Sequence, residues 1–124
     1  MTFAEKTLDL ISKGQIDEAH KEFGWSLRKD SDDMVYSLAE ELYSLGFTKW
    51  AKRAYEKLLE RHPDADEFRT SLADIAIGEG NDDEALNYLA QIKPDSDAYL
   101  ESLLVAADLY QTQGMFDVSE QKLL

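Results

Sequence analysis

The chain has 124 residues, 44% of them apolar and 31% charged, and its 13 Lys and Arg face 26 Asp and Glu for a net charge of −13. This is the length of about one ordinary domain, and no apolar run approaches the ~20 residues of a membrane span. With no cysteine there is no disulfide framework, thiolate metal site or cysteine nucleophile, and so much acid repels phosphate backbones and anionic membranes.

Taken in chain order, 3.6-residue apolar periodicity predicts helices at about 3–13, 16–29, 32–45, 49–61, 65–77, 82–92, 97–113 and 116–124. No β-branched alternating run competes with them. Thr2 with Glu5, Asp64 with Glu67, Asn81 with Glu84 and Asp117 with Glu120 have the spacing of capping boxes. Pro63 and Pro94 fall between helices, where a missing N–H does no harm.

The helices repeat. Gly14, Gly46, Gly80 and Gly114 are separated by 32, 34 and 34 residues. Five residues after each glycine stands a small side chain (Ala19, Ala51, Ala85, Ser119), and four residues later a large apolar one (Phe23, Tyr55, Leu89, Leu123). Upstream, Leu38-Ala39, Leu72-Ala73 and Ala106-Ala107 recur in the same phase. Each glycine is expected to end one helix in a left-handed turn. The small residue then lets two backbones approach, and the large one fills the gap a turn later.

In this phase the chain resembles the tetratricopeptide repeat family. Its 34-residue repeat carries W-x2-L-G-x2-Y, then A-x3-F, then P. The second repeat fits through Val35, Leu38, Ala39, Leu42, Ala51, Tyr55, Leu58 and Pro63, and the fourth through Leu103, Ala106, Ala107, Tyr110, Ser119 and Leu123. Lys6 and Arg69 stand where the family is apolar, and no repeat has the family's Trp or early Gly. The resemblance implies an all-α, right-handed superhelical array of antiparallel helix pairs. It forms one domain of about three and a half repeats, near 1–31, 32–65, 66–99 and an incomplete 100–124. The chain is similar to bacterial tetratricopeptide proteins that serve as interaction scaffolds.

In such a fold the first helix of each pair lines a groove. The resemblance puts Glu40, Asp74 and Asp108 in its central column, with Leu8 as their counterpart in the first repeat. Tyr36, Tyr43, Ile77 and Leu104 lie beside them. Aromatic plates next to carboxylates suit a peptide carrying Lys or Arg among apolar anchors. Acid is also concentrated in residues 63–124, with 3 Lys and Arg against 14 Asp and Glu, while residues 1–62 have 10 against 12. Family members that clamp a chaperone's C-terminal carboxylate use groove cations. The matching positions here, Ala4, Leu8, Glu40, Glu67 and Ser71, carry none.

Catalytic chemistry has little support. His20 is read as an outer-face residue and His62 as a cation at a helix end. Asp30, Asp32 and Asp33 only faintly resemble a calcium loop, since Val35 stands where that loop needs glycine. Trp50 either contacts a partner or covers a neighbouring loop. No phosphate loop or H-E-x-x-H is present. The sequence therefore predicts a non-enzymatic, cytoplasmic protein-binding scaffold without cofactor or metal. Its expected partner is a basic protein or peptide, not nucleic acid or membrane. The alternative is a self-assembly module within a larger repeat protein. Leu103, Ala106, Tyr110 and Leu123 would leave an open apolar end, covered by a continuing chain or by self-association.

Overall fold

The computed structural model describes the backbone of residues 1–123 and the side chains of residues 1–114. Among these residues every regular element is helical: α1 (Phe3–Ser12), α2 (Ile16–Lys29), α3 (Asp32–Ser44), α4 (Thr48–Arg61), α5 (Asp66–Gly78), α6 (Asp82–Ala90) and α7 (Tyr99–Leu123). Contacts divide the chain into two compact units, Met1–Pro63 and Asp64–Leu124.

The first unit is two helix pairs, α1 with α2 and α3 with α4. Phe23, Val35, Leu38, Ala39, Leu42, Ala51, Ala54 and Leu58 are buried, together with the repeat's small Ala19. With no side chain beyond Cβ, Ala19 and Ala51 leave room for a neighbouring helix to come close. In the second unit α5 pairs with α6, and α7 packs beside α6. Its core joins Ala73, Ala76, Ala85, Leu89 and Ile92, with Ala98, Tyr99, Val105, Ala106 and Leu109 packed on from the α7 side.

Three glycines make the turns. Gly14, Gly46 and Gly80 have φ of 76°, 89° and 76°. After each, the next residue's N–H donates to a carbonyl five residues back: Gln15 to Leu10, Phe47 to Leu42 and Asn81 to Ala76, at 2.8–2.9 Å. This is the Schellman closure, which satisfies carbonyls that the helix end would otherwise orphan.

Gly114 departs from the expectation. No turn separates 97–113 from 116–124; α7 runs continuously from Tyr99 to Leu123. Glycine permits the left-handed conformation without imposing it, and Gly114 has no positive φ. The expected capping pair Asp117 and Glu120, and the repeat positions Ser119 and Leu123, lie outside the described side chains. A prediction follows from the two kinds of glycine. Gly46→Ala should destabilise by about 1–2 kcal/mol, because a Cβ is strained at positive φ. Gly114→Ala should stabilise by up to ~1 kcal/mol, as alanine does inside a helix. Urea denaturation of both variants checks this, and a loss at Gly114 would restore the turn.

Helix starts agree in part. Thr2 and Glu5 form the full capping box, and the Asn81 side chain accepts from Glu84 N–H. Asp64 does not cap α5, whose first flanking residue is Ala65. Its carboxylate instead takes a hydrogen bond from Lys93 Nζ at 2.7 Å. That bond holds the Asp64 carboxyl below its ordinary range and raises Lys93.

Candidate functional site

Aspartates at one register position tie the ends of the α3–α4 and α5–α6 pairs. Asp32 opens α3, and its carboxylate accepts from Arg61 Nη1 at 3.0 Å and meets His62 Nε2 at the end of α4. These bonds, that of His62 foremost, hold the Asp32 carboxyl below its ordinary range. A depressed carboxyl adds stability above its unfolded pKa, 3.8, and loses it as pH falls through the folded value. Asp66, 34 residues on, opens α5 and is buried. One of its oxygens accepts from Arg69 Nη1 at 2.9 Å and the other from the Lys93 N–H at 3.2 Å. This explains Arg69 at a normally apolar position: it neutralises a buried carboxylate. Asp30 works similarly within the first pair, accepting from Ala4 N–H at 2.7 Å and from Ser26 Oγ at 2.8 Å. These carboxylates hold helix ends together, and among the described residues no three His, Asp or Glu converge as a metal site.

The aromatic residues off the repeat register are likewise engaged within the chain. Trp50 stacks on Phe23 with centroids 5.3 Å apart and also contacts His20 and Phe47. It covers the turn before α4. Trp25 stacks on Phe3 at 6.2 Å.

The predicted groove residues lie on α3, α5 and α7. On α3, Tyr36, Glu40 and Tyr43 recur at spacings of four and three, so they share one helix face. All are exposed, the tyrosines at 39% and 45%. Tyr36 is braced edge-on against the buried Tyr55, with centroids 6.0 Å apart. In the second unit Asp74 and Ile77 lie on α5, and Leu104 and Asp108 on α7. Ile77 is half-buried against the core, whereas Leu104 and Asp108 are exposed.

Glu101, on α7, acts electrostatically on Asp74 of α5. Partial desolvation raises the Asp74 carboxyl above its ordinary value, and repulsion from Glu101 pushes it further. No Lys or Arg forms an ion pair with Asp74 among the described residues. Glu101 precedes Asp108 by seven residues, two helical turns, so it was legible as a same-face neighbour. The repeat pattern passed over it because it follows only one column.

These features define a helical-repeat protein presenting acidic and aromatic faces on its first helices. A family model described as tetratricopeptide repeat matches residues 36–99. The chain is also 30% identical over 122 residues to the TPR repeat-containing protein YpiA of Bacillus subtilis (strain 168), covering 98% of this chain and 29% of that protein. The chain belongs to the tetratricopeptide repeat family. Members are generally non-catalytic modules that bind proteins or peptides. The chain spans less than a third of the curated relative it matches. No helix among the described residues is long and apolar enough to cross a membrane.

Proposed function

We propose that the chain is a non-enzymatic cytoplasmic scaffold whose first-helix faces bind a basic segment of a partner protein. The observation that carries this is the exposed acid on these faces, Glu40, Asp74, Glu101 and Asp108, where partial desolvation and repulsion from Glu101 already disfavour the charged Asp74 carboxylate. A lysine or arginine of the ligand would relieve that repulsion. On α3, Tyr36 and Tyr43 flank Glu40 and offer ring faces to the same chemistry.

Titration calorimetry with a peptide alternating Lys and Leu tests the proposal. Replacing Glu40, Asp74 and Asp108 by Gln or Asn should weaken binding more than replacing the cap residues Asp82, Asp83 and Glu84. Added salt should weaken it as well. The pH sign follows from Asp74. Its pKa is raised in the free protein, so acidification through that pKa protonates it and removes attraction. Asp74→Asn should flatten this part of the pH dependence. Equal losses from both sets of substitutions would leave only bulk acidity as the cause.

Self-association is favoured by a separate observation on α7. Leu103 and Tyr110 correspond in register to the fully buried Val35 and Leu42, yet are 48% and 60% exposed. Sedimentation at several concentrations separates the readings, since a scaffold alone remains monomeric.

A further inference from the structure

Charge is sorted within the first unit. Helices α2 and α4 carry eight of the chain's 13 Lys and Arg against five Asp and Glu, whereas α3 has four acids and no cation. The excess lies on α4, with five cations against two acids, while α2 balances three against three and ends on Arg28 and Lys29, so a protein of net charge −13 keeps a locally cationic patch here.

A cleft of about 300 Å³ opens there, lined only by α2 and α4. Gly24 makes the space: a Cβ built on it would meet nothing within 4 Å. Leu27 supplies an apolar lining, and Arg28 enters from α2 while Arg53 and Lys57 enter from α4. Both arginines are held against rings. The Arg28 guanidinium lies 5.7 Å from the Trp25 ring centroid, and that of Arg53 lies 5.7 Å from Phe23. Neither has an acidic partner within ion-pair distance among the described residues. Lys57 differs, pairing with Glu60 at 3.6 Å.

We propose that this cleft binds an acidic protein segment, with one carboxylate held between Arg28 and Arg53 and an apolar neighbour against Leu27. A guanidinium fixed on an aromatic ring loses less freedom on binding and still offers its planar edge to a carboxylate. Glu56 and Glu60 also line the cleft. They oppose a dense polyanion more strongly than a single carboxylate, which favours a mixed acidic and apolar peptide over a phosphate chain. The site lies on second helices and has the opposite charge preference to the first-helix faces. It therefore does not depend on the scaffold's basic ligand.

The test is calorimetric titration of the whole chain with a capped hexapeptide alternating Glu and Leu. The controls are the Gln–Leu counterpart and inorganic phosphate. Binding of the Glu peptide is expected, with affinity at least tenfold lower for the Gln peptide and for the R28Q/R53Q double variant. Gly24→Leu should cause a similar loss by filling the cleft, with charge unchanged, and circular dichroism confirms that each variant keeps its helices. Replacing Glu40, Asp74 and Asp108 should leave this binding intact, which separates it from the first-helix reading. Undiminished binding to R28Q/R53Q, equal affinity for phosphate, or no binding of the Glu peptide would each overturn the proposal. So would a dimer of the wild-type chain that R28Q/R53Q dissociates, since the occupant would then be a second copy.

Discussion

Phe23→Ala is expected to lower the stability of the first unit by about 3–5 kcal/mol, the range for truncating a buried aromatic. Phe23 is fully buried, Trp50 stacks on its ring at an interplanar angle of 19°, and the Arg53 guanidinium lies over it. Removing it empties a site shared by α2 and α4, and Trp50 cannot fill that space without abandoning His20 and Phe47. Domains of this size are stable by only about 5–15 kcal/mol in all, so a loss of this size is a large fraction. Phe23→Leu, which keeps most of the volume, should cost less than ~1.5 kcal/mol. Urea unfolding followed by circular dichroism and by tryptophan fluorescence reads both variants. A loss below about 1 kcal/mol for the alanine variant would mean that the large apolar position of the repeat is not a packing anchor.

The second large effect is expected at Asp66. The carboxylate is 6% exposed and the Arg69 side chain 13%, so the pair is largely removed from water. Asp66→Ala should cost about 3–5 kcal/mol, because it strands the Arg69 guanidinium and leaves the Lys93 N–H without its acceptor. Asp32 occupies the same register position, but its side chain and that of His62 are about half exposed. Asp32→Ala should therefore lower stability by clearly less, since water and salt screen such a pair. Matched urea curves at neutral pH compare them. Equal losses would show that burial does not distinguish the two clamps.

Much of the fold is legible in the residues. Ile16–Lys29 agrees with the expected second helix at both ends, because a turn glycine stands before it and Ser31 caps the next helix after it. The Ala19–Phe23 and Ala51–Tyr55 pairs are buried as their spacing implied. Gly114 sits in the repeat's phase without making a turn, because periodic placement shows where a turn is allowed, while the turn itself depends on what packs beside it. The site was legible one helix at a time. Tyr36, Glu40 and Tyr43 follow from helical spacing alone. The Asp74–Glu101 proximity joins two helices, and the Asp66 clamp joins a helix start to a backbone N–H 27 residues away. Such pairings depend on how helices dock, which a periodicity along one helix does not contain.

The glycine turns also bear on how the chain finds its structure. Gly14, Gly46 and Gly80 each let a helix meet the next one after a connection of only a few residues. The entropy lost in closing a loop grows with its length, so each hairpin forms at small cost and needs no distant segment to be in place first. Even the bond from Arg61 to the carbonyl of Leu27 reaches back just 34 residues, one repeat. Contacts so local in sequence belong to the class of topologies that fold quickly. Order can begin in any hairpin and spread to its neighbours, without waiting for the ends of the chain to meet.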